Sequence, residues 1–194
     1  MERNYTKIYF LGIGGIGMSA LARYYMHEGY RVAGYDRTAT PLTRALEAGG
    51  AEVHYEDDIN LIPEDMRSAE DTLVILTPAI PADHMEWAWL RERGFHIEKR
   101  SQILGHISEG KLCMAVAGTH GKTTTTSMLV WAFEQLGIPV SYLVGTTLPW
   151  GEGGKYDPES KFFIYEADEY DRNFLAYHPY IAAITAVDYD HPDI

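Results

Sequence analysis

The stretch Cys113-Met-Ala-Val-Ala-Gly-Thr-His-Gly-Lys-Thr-Thr-Thr-Thr126 constrains the fold more than any other: an apolar strand runs into a glycine-bearing turn, then a lysine and four threonines. Gly118 and Gly121 let the backbone bend with its N–H groups inward, and the following helix offers its positive N-terminus to a phosphate. Lys122 can then reach the outer phosphates of a nucleoside triphosphate, and the Thr123 hydroxyl can hold Mg²⁺. The full G-x-x-x-x-G-K-[ST] pattern needs glycine at position 116, where this chain has Val116, so the motif is matched only in its second half. A lysine at a helix start opposes the dipole and threonines are poor helix formers. A bound triphosphate explains at least Lys122 and the first two threonines.

A second glycine turn lies about a hundred residues upstream. Gly12-Ile-Gly-Gly-Ile-Gly17 matches G-x-G-x-x-G, follows the strand expected over residues 7–11, opens a helix expected over 18–27, and has Asp36 at the end of the next strand. In physical terms this is a pyrophosphate site on a helix N-terminus, which admits NAD, FAD or a UDP-sugar equally. Asp36 reads either as a ribose partner or as a loop acid that caps the next segment.

Between and after these turns strands alternate with helices. Strands are expected at 31–35, 51–54, 73–76 and 95–97, and helices at 42–48 behind Thr40-Pro41, at 83–93 with Asp83 as cap, and at 101–108. The pattern restarts near Gly110, with a strand at 112–117, a helix at 123–136, strands at 140–144, 162–165 and 181–187, and a polar loop at 145–160. Such alternation implies right-handed βαβ units and parallel sheets. The expected architecture is therefore α/β, with a Rossmann-like, doubly wound parallel sheet in residues 1–110 followed by a P-loop ATPase-type α/β domain in residues 111–194. The last strand runs into Asp188-Tyr-Asp-His-Pro-Asp-Ile194 with nothing beyond to cover the sheet, so the second domain is expected to be incomplete.

Composition narrows the partners. With 16 Lys+Arg against 28 Asp+Glu the net charge is -12, which would repel a nucleic-acid backbone. The single cysteine, Cys113, sits in an apolar strand, excludes an internal disulfide and suits a reducing, cytoplasmic setting. Glycines break the apolar run near the N-terminus, and no window approaches the roughly 20 apolar residues of a membrane span, so no membrane insertion is expected.

Glu166-Ala-Asp-Glu-Tyr-Asp171 closes the strand at 162–165. Carboxylates crowded there would repel one another by up to ~4 kcal/mol per close pair at an effective dielectric of 20, which a cation relieves. Glu166 and Thr123 together make a plausible set of hard oxygen ligands for Mg²⁺; an acidic solvated turn is the alternative. His191 ends the last strand at what should be the same sheet edge, a candidate second metal ligand or a plain surface histidine.

These residues together resemble the Mur ligases. Ala117-Gly-Thr-His-Gly-Lys-Thr-Thr-Thr125 is similar to that family's ATP loop, which uses this variant and accounts for Val116. Gly12-Ile-Gly-Gly-Ile-Gly-Met-Ser19, Glu166-Ala-Asp-Glu-Tyr-Asp171 and Asp190-His191 extend the resemblance along the chain in order. It implies a first domain holding the UDP end of a substrate through Gly14, Gly15, Ile16, Gly17 and Met18, with Asp36, Thr77 and Arg100 nearby. It implies a central domain binding ATP through Gly118, Thr119, His120, Gly121, Lys122, Thr123 and Thr124. Lys122, Glu166 and His191 are the implied catalytic group, and Thr123, Glu166 and His191 the implied metal ligands. A third, amino-acid-binding domain would lie outside this chain, leaving the 194 residues inactive alone. The implied reaction joins L-alanine to the carboxylate of UDP-N-acetylmuramate through an acyl phosphate, in peptidoglycan precursor synthesis. The loop at 145–155 departs from the family pattern in having no arginine. Two other readings stay open: a murein tripeptide recycling ligase of the same family, which shares the Glu-Ala-Asp-Glu-Tyr-Asp motif, and an NAD-dependent oxidoreductase resting on the first glycine turn and Asp36.

Overall fold

The computed structural model describes residues 5–151, 153–167 and 178–188. The chain divides into two compact units, Met1–Arg100 and Ser101–Ile194. The division falls after the first residue of the helix Arg100–Glu109, whereas the restart of the sequence pattern at Gly110, the first visible punctuation, places it behind that helix.

In the first unit the order is β1 (Lys7–Leu11), α1 (Ile16–His27), β2 (Arg31–Tyr35), α2 (Pro41–Ala48), β3 (Glu52–His54), β4 (Thr72–Leu76), α3 (Met85–Glu92) and β5 (His96–Lys99), with 3-10 turns at Ile59–Leu61 and Glu64–Met66. The five strands are parallel in the order β3-β2-β1-β4-β5. The sequence moves outward from β1 one way to β3 and then the other way to β5, as a doubly wound sheet does. The reversal between β1 and β4 opens a crevice at their carboxyl ends, where such sheets take ligands. The continuous apolar runs of β1 and β4 suit strands covered on both faces. Tyr9, Leu11, Val74, Met66 and Leu90 are buried in one cluster; each large side chain of this kind contributes roughly 1.5–3 kcal/mol.

Local chemistry sets the helix starts. Thr40 caps α2 through a reciprocal pair of bonds with Thr43, with Pro41 in the first turn, as the sequence suggests. At α3 the expected cap, Asp83, is not the cap. His84 takes that position, and Asp57, from the segment after β3, accepts from the Met85 and Glu86 amides at 2.8 and 3.1 Å. An acid 28 residues upstream thus satisfies the amides that a local Asp83 would have served.

In the second unit α4 (Arg100–Glu109) leads to β6 (Leu112–Ala117), α5 (Lys122–Gln135), β7 (Val140–Leu143), β8 (Gly154–Lys155), β9 (Phe162–Glu166) and β10 (Ile181–Ile184). The sheet order is β10-β6-β9-β7-β8, parallel except for β8. The polar loop expected over 145–160 is more structured than that. It folds back as β8, antiparallel to β7, and its Leu148 is buried with Val130, Val140 and Ile164. A two-residue edge strand and one core leucine within a glycine-rich stretch are too short to show as period-2 alternation. Cys113 is buried and unbridged, and burial pushes its thiol up to about 11, as befits a packing residue.

Candidate functional site

Each unit carries a cradle at the carboxyl end of its sheet. In the first, the chain leaves β1 at Gly12, whose φ of +90° is the left-handed conformation that glycine tolerates. A Cβ there would collide with the Thr77 methyl at the end of β4. The topological crevice thus places Thr77, expected to be near the site, directly against the glycine turn. Gly12, Gly14, Gly15, Asp36 and Thr77 line a cavity of about 680 Å³ together with Tyr35, Arg37, Asp57, Ile80 and His84.

Asp36 does more here than its sequence position indicates. Its Oδ2 accepts from the Gly14 amide at 2.7 Å and its Oδ1 from the Thr38 amide at 3.1 Å. The carboxylate pins the first glycine turn to the end of β2, so one amide of the fingerprint already has a protein partner. Gly15 caps α1 without a side-chain bond to the first-turn amides. Among the other residues the sequence points to, Ile16 is exposed and Met18 is buried, so Met18 can offer a ligand only its backbone. Arg100 lies over Gly17 so closely that a Cβ at Gly17 would stand 2.7 Å from the guanidinium carbon, and its buried Nε has no hydrogen-bond partner. A cation with an unsatisfied donor beside a helix N-terminus suits an anion.

Behind the cavity is a buried polar chain. The Tyr9 hydroxyl stands 2.6 Å from Glu86 Oε2 and 2.8 Å from His54 Nε2, and His54 Nδ1 is 3.0 Å from the Glu56 carbonyl. Glu86 is wholly buried, and burial pushes its carboxyl up to about 8; burial also lowers the pKa of His54. The Tyr9 hydroxyl donates to Glu86 Oε2, and His54 Nε2, the other neighbour of that hydroxyl, lies 3.5 Å from Glu86 Oε1.

A stability prediction follows. The folded chain binds the Glu86 proton more tightly than the unfolded chain, whose carboxyl has its ordinary pKa near 4.5. The stabilisation is complete below that pH and is lost as pH rises through about 8. Urea titrations should show wild-type stability relative to Glu86→Gln falling across this window, by at most about 1.4 kcal/mol per pH unit. Parallel profiles for the two proteins would show that Glu86 enters the fold ionised.

The second cradle lies between β6 and α5. Gly118 has φ +126° and Gly121 has φ +81° and caps α5. Lys122 Nζ donates to the Gly118 carbonyl at 2.6 Å, closing the turn on itself. Because β9 lies beside β6, its last residue, Glu166, meets the start of α5: the Thr123 hydroxyl donates to Glu166 Oε2 at 3.1 Å, and Glu166 Oε1 accepts from the Gly145 amide at 2.8 Å. On the other side of β6 lies β10, and Thr185 just past its end donates from its hydroxyl to the Ala117 and His120 carbonyls. The Thr119 amide donates to the Ala186 carbonyl at 3.0 Å, while the buried Thr119 hydroxyl has no partner. The later threonine also has a local explanation: Thr126 bonds back to the Lys122 carbonyl, and Ser127 to that of Thr123.

Lys122, Thr123 and Glu166 are thus brought to one corner with Gly118, Thr119, His120, Gly121 and Thr124. His191 and residues 168–171 of the acidic motif lie outside the described residues. Among the described residues no three His, Cys, Asp or Glu side chains gather as a metal group, so a cation would rest on Thr123, Glu166 and ligand oxygens, a donor set suited to Mg²⁺. Sequence reasoning missed Thr185, His84 and Asp57. Thr185 follows a buried strand and carries no motif; only the β10-β6 pairing reveals it.

Two glycine cradles on parallel sheets, one with an arginine over its helix start and the other with lysine, threonine and glutamate, make an α/β arrangement suited to nucleotide phosphates. The chain belongs to the Mur ligase family: the model of the Mur ligase family, catalytic domain, matches residues 7–112. It is 48% identical over 195 residues to the UDP-N-acetylmuramate--L-alanine ligase of Christiangramia forsetii, covering 100% of this chain and 43% of that protein. It is 48% identical over 188 residues to the ligase of the same name from Flavobacterium johnsoniae, covering 97% and 42%. It therefore spans less than half the length of these curated relatives. Among solved structures it is similar to the UDP-N-acetylmuramate-alanine ligase MurC of Thermotoga maritima, with TM-score 0.84 and 31% identity over 95% of this chain and 42% of that one. It is also similar to UDP-N-acetylmuramate:L-alanyl-gamma-D-glutamyl-meso-diaminopimelate ligase from Neisseria meningitides, with TM-score 0.85 and 29% identity over 98% and 63%. Among the described residues no helix is long and apolar enough to cross a membrane.

Proposed function

We propose that this chain is the nucleotide-binding part of an ATP-dependent ligase that joins L-alanine to the carboxylate of UDP-N-acetylmuramate. The observation that carries the reading is the corner formed by Lys122, Thr123 and Glu166 in a chain that has a separate pyrophosphate cradle in its other unit. An oxidoreductase needs one nucleotide site and leaves that corner without a purpose. The backbone likeness to the recycling ligase and to MurC is equal, with TM-scores of 0.85 and 0.84, so shape does not separate those two. Sequence favours the L-alanine ligase, at 48% identity against 29%.

In this reading the amides that start α1 and the Arg100 guanidinium take the UDP phosphates, since Asp36 already holds the Gly14 amide. Thr77 and the turn around Gly12 shape the crevice wall. Lys122 leaves the Gly118 carbonyl for the β- and γ-phosphate oxygens of ATP and offsets their charge. A Mg²⁺ held by Thr123 and Glu166, with His191 proposed for a second, would neutralise the remaining phosphate charge. The acceptor carboxylate attacks the γ-phosphorus, its bond to the ADP oxygen breaks, and an acyl phosphate results. The amine of L-alanine then attacks the acyl carbon, phosphate leaves with the C–O bond pair, and the amine's proton goes to solvent or base. Charge neutralisation at the cradle serves the first of these steps.

Isothermal calorimetry tests the assignment of the first cradle. Binding of UDP-N-acetylmuramate without binding of NAD is expected; tight NAD binding with no affinity for the UDP-sugar would sink the proposal.

A further inference from the structure

The turn between β6 and α5 is tied to the residues just past β10. The Thr185 amide donates to the Ala117 carbonyl at 3.0 Å, and the Thr119 amide donates to the Ala186 carbonyl at 3.0 Å. The Thr185 hydroxyl reaches two oxygens, the Ala117 carbonyl at 3.1 Å and the His120 carbonyl, which is the nearer. It has one proton to give. Ala117 already accepts from the Thr185 amide, so the hydroxyl proton goes to His120. That bond fixes a single peptide, His120–Gly121, at the entrance of α5.

Left to itself, this peptide is able to turn over. Gly121 has φ +81° and ψ 0°, and glycine takes either sign of φ at about equal cost. A Cβ built on Gly121 would meet nothing closer than Thr185 Cβ at 3.7 Å, so crowding does not select one face of the peptide. The two faces differ for an anion. In a planar trans peptide the C=O and N–H point in opposite directions, so an oxygen held toward Thr185 sends the Gly121 N–H away from β10. The reverse orientation would put an oxygen where that N–H stands, beside the first-turn amides of α5, which no side chain caps and which are the natural seat of a phosphate. Lys122 cannot be the holding group, because the ammonium that bonds the Gly118 carbonyl must leave it to reach ATP. Granting the ATP reading of this cradle, we propose that Thr185 is a positioning residue of the site: its hydroxyl holds the His120–Gly121 peptide with the N–H presented to the triphosphate.

Two variants of the 194-residue chain separate the hydroxyl from the rest of the side chain. Thr185→Ala removes it, and Thr185→Ser keeps it without the methyl. Titration with a fluorescent ATP analogue is expected to show binding about 3- to 10-fold weaker in Thr185→Ala and within about twofold of wild type in Thr185→Ser, the worth of one hydrogen bond from an exposed hydroxyl. A merely structural role, filled by the methyl that lies against Gly121, would be lost in both variants. UDP binding to the first unit, measured by calorimetry, should be the same in all three proteins. In NMR spectra without ligand, the amide nitrogen resonance of Gly121 should move in Thr185→Ala, whose His120 carbonyl has lost its donor, and hold its place in Thr185→Ser, with Gly137 unmoved in both. Wild-type ATP affinity in Thr185→Ala, or equal losses in the two variants, overturns the role of the hydroxyl and leaves the ATP site standing. A wild type that binds UDP but not ATP overturns the reading of the second cradle, and the role of Thr185 with it.

Discussion

Replacing Lys122 by alanine is expected to weaken ATP binding by about 10- to 100-fold while binding of UDP to the first unit stays unchanged. The lower bound follows from one charge-assisted contact, worth about 1.5–3 kcal/mol. The upper bound applies if the ammonium touches two phosphates at once, since no other cationic side chain is placed within the turn from Gly118 to Thr124. Lys122 donates to the Gly118 carbonyl, so its removal also loosens the turn. Lys122→Arg separates the two effects. It keeps the charge but places a planar, bulkier fork where a compact ammonium fits, and it should restore stability without restoring affinity. Equilibrium titration with a fluorescent ATP analogue, beside calorimetry with UDP, measures both quantities in one preparation. Unchanged ATP affinity in Lys122→Ala would show that the turn holds something other than a triphosphate.

The second large effect belongs to Gly118→Ala. At φ +126° an L-residue is strained by roughly 1–2 kcal/mol. In addition, the new Cβ would stand 2.7 Å from the Ala186 carbonyl oxygen and 2.9 Å from its nitrogen, and would collide with the Thr185 hydroxyl. Two of these neighbours are backbone, so relief requires β10 to shift away from β6. We expect a loss of about 3 kcal/mol or more in urea unfolding, together with loss of ATP binding. Gly137 provides the comparison. It also has positive φ, at +66°, but nothing lies within 4 Å of where its Cβ would be. Gly137→Ala should therefore cost only the conformational term, about 1 kcal/mol, and leave ATP binding intact. Equal losses at the two positions would mean that backbone strain, not the approach of β10, sets the demand for glycine at 118.

Most of the elements were legible because their causes are local. Thr40-Pro41 carries its own cap, β6 is an unbroken apolar run, and Gly121-Lys122 marks the start of α5 within one residue. Misreadings arose where a distant group did the work. Asp83 looks like the cap of α3, but Asp57 already serves the amides that a cap there would satisfy. Residues 145–160 look like loop, but β7 provides a ladder partner for Gly154–Lys155 that no window of sequence contains. Asp36 was legible as a residue of the first cradle. Its engagement with Gly14 was not, because the choice between ligand and backbone as its partner depends on a separation of a few ångströms.

The sequence by itself determined the two glycine turns, the helices that open behind them and the parallel βα rhythm, and through these the presence of two glycine cradles. Glycine conformations, helix dipoles and side-chain periodicity act over a handful of residues and are written in contiguous chain. Tertiary structure decided what stands around each cradle. Placing β4 beside β1 sets Thr77 against Gly12, and placing β9 and β10 on either side of β6 gives the second cradle Glu166 and Thr185. The physical reason is that strand order is settled by the packing of whole strands and helices, a sum over many weak contacts between residues far apart in the chain. A side chain such as His84 acquires its single unused nitrogen only after that packing has assigned partners to every group around it.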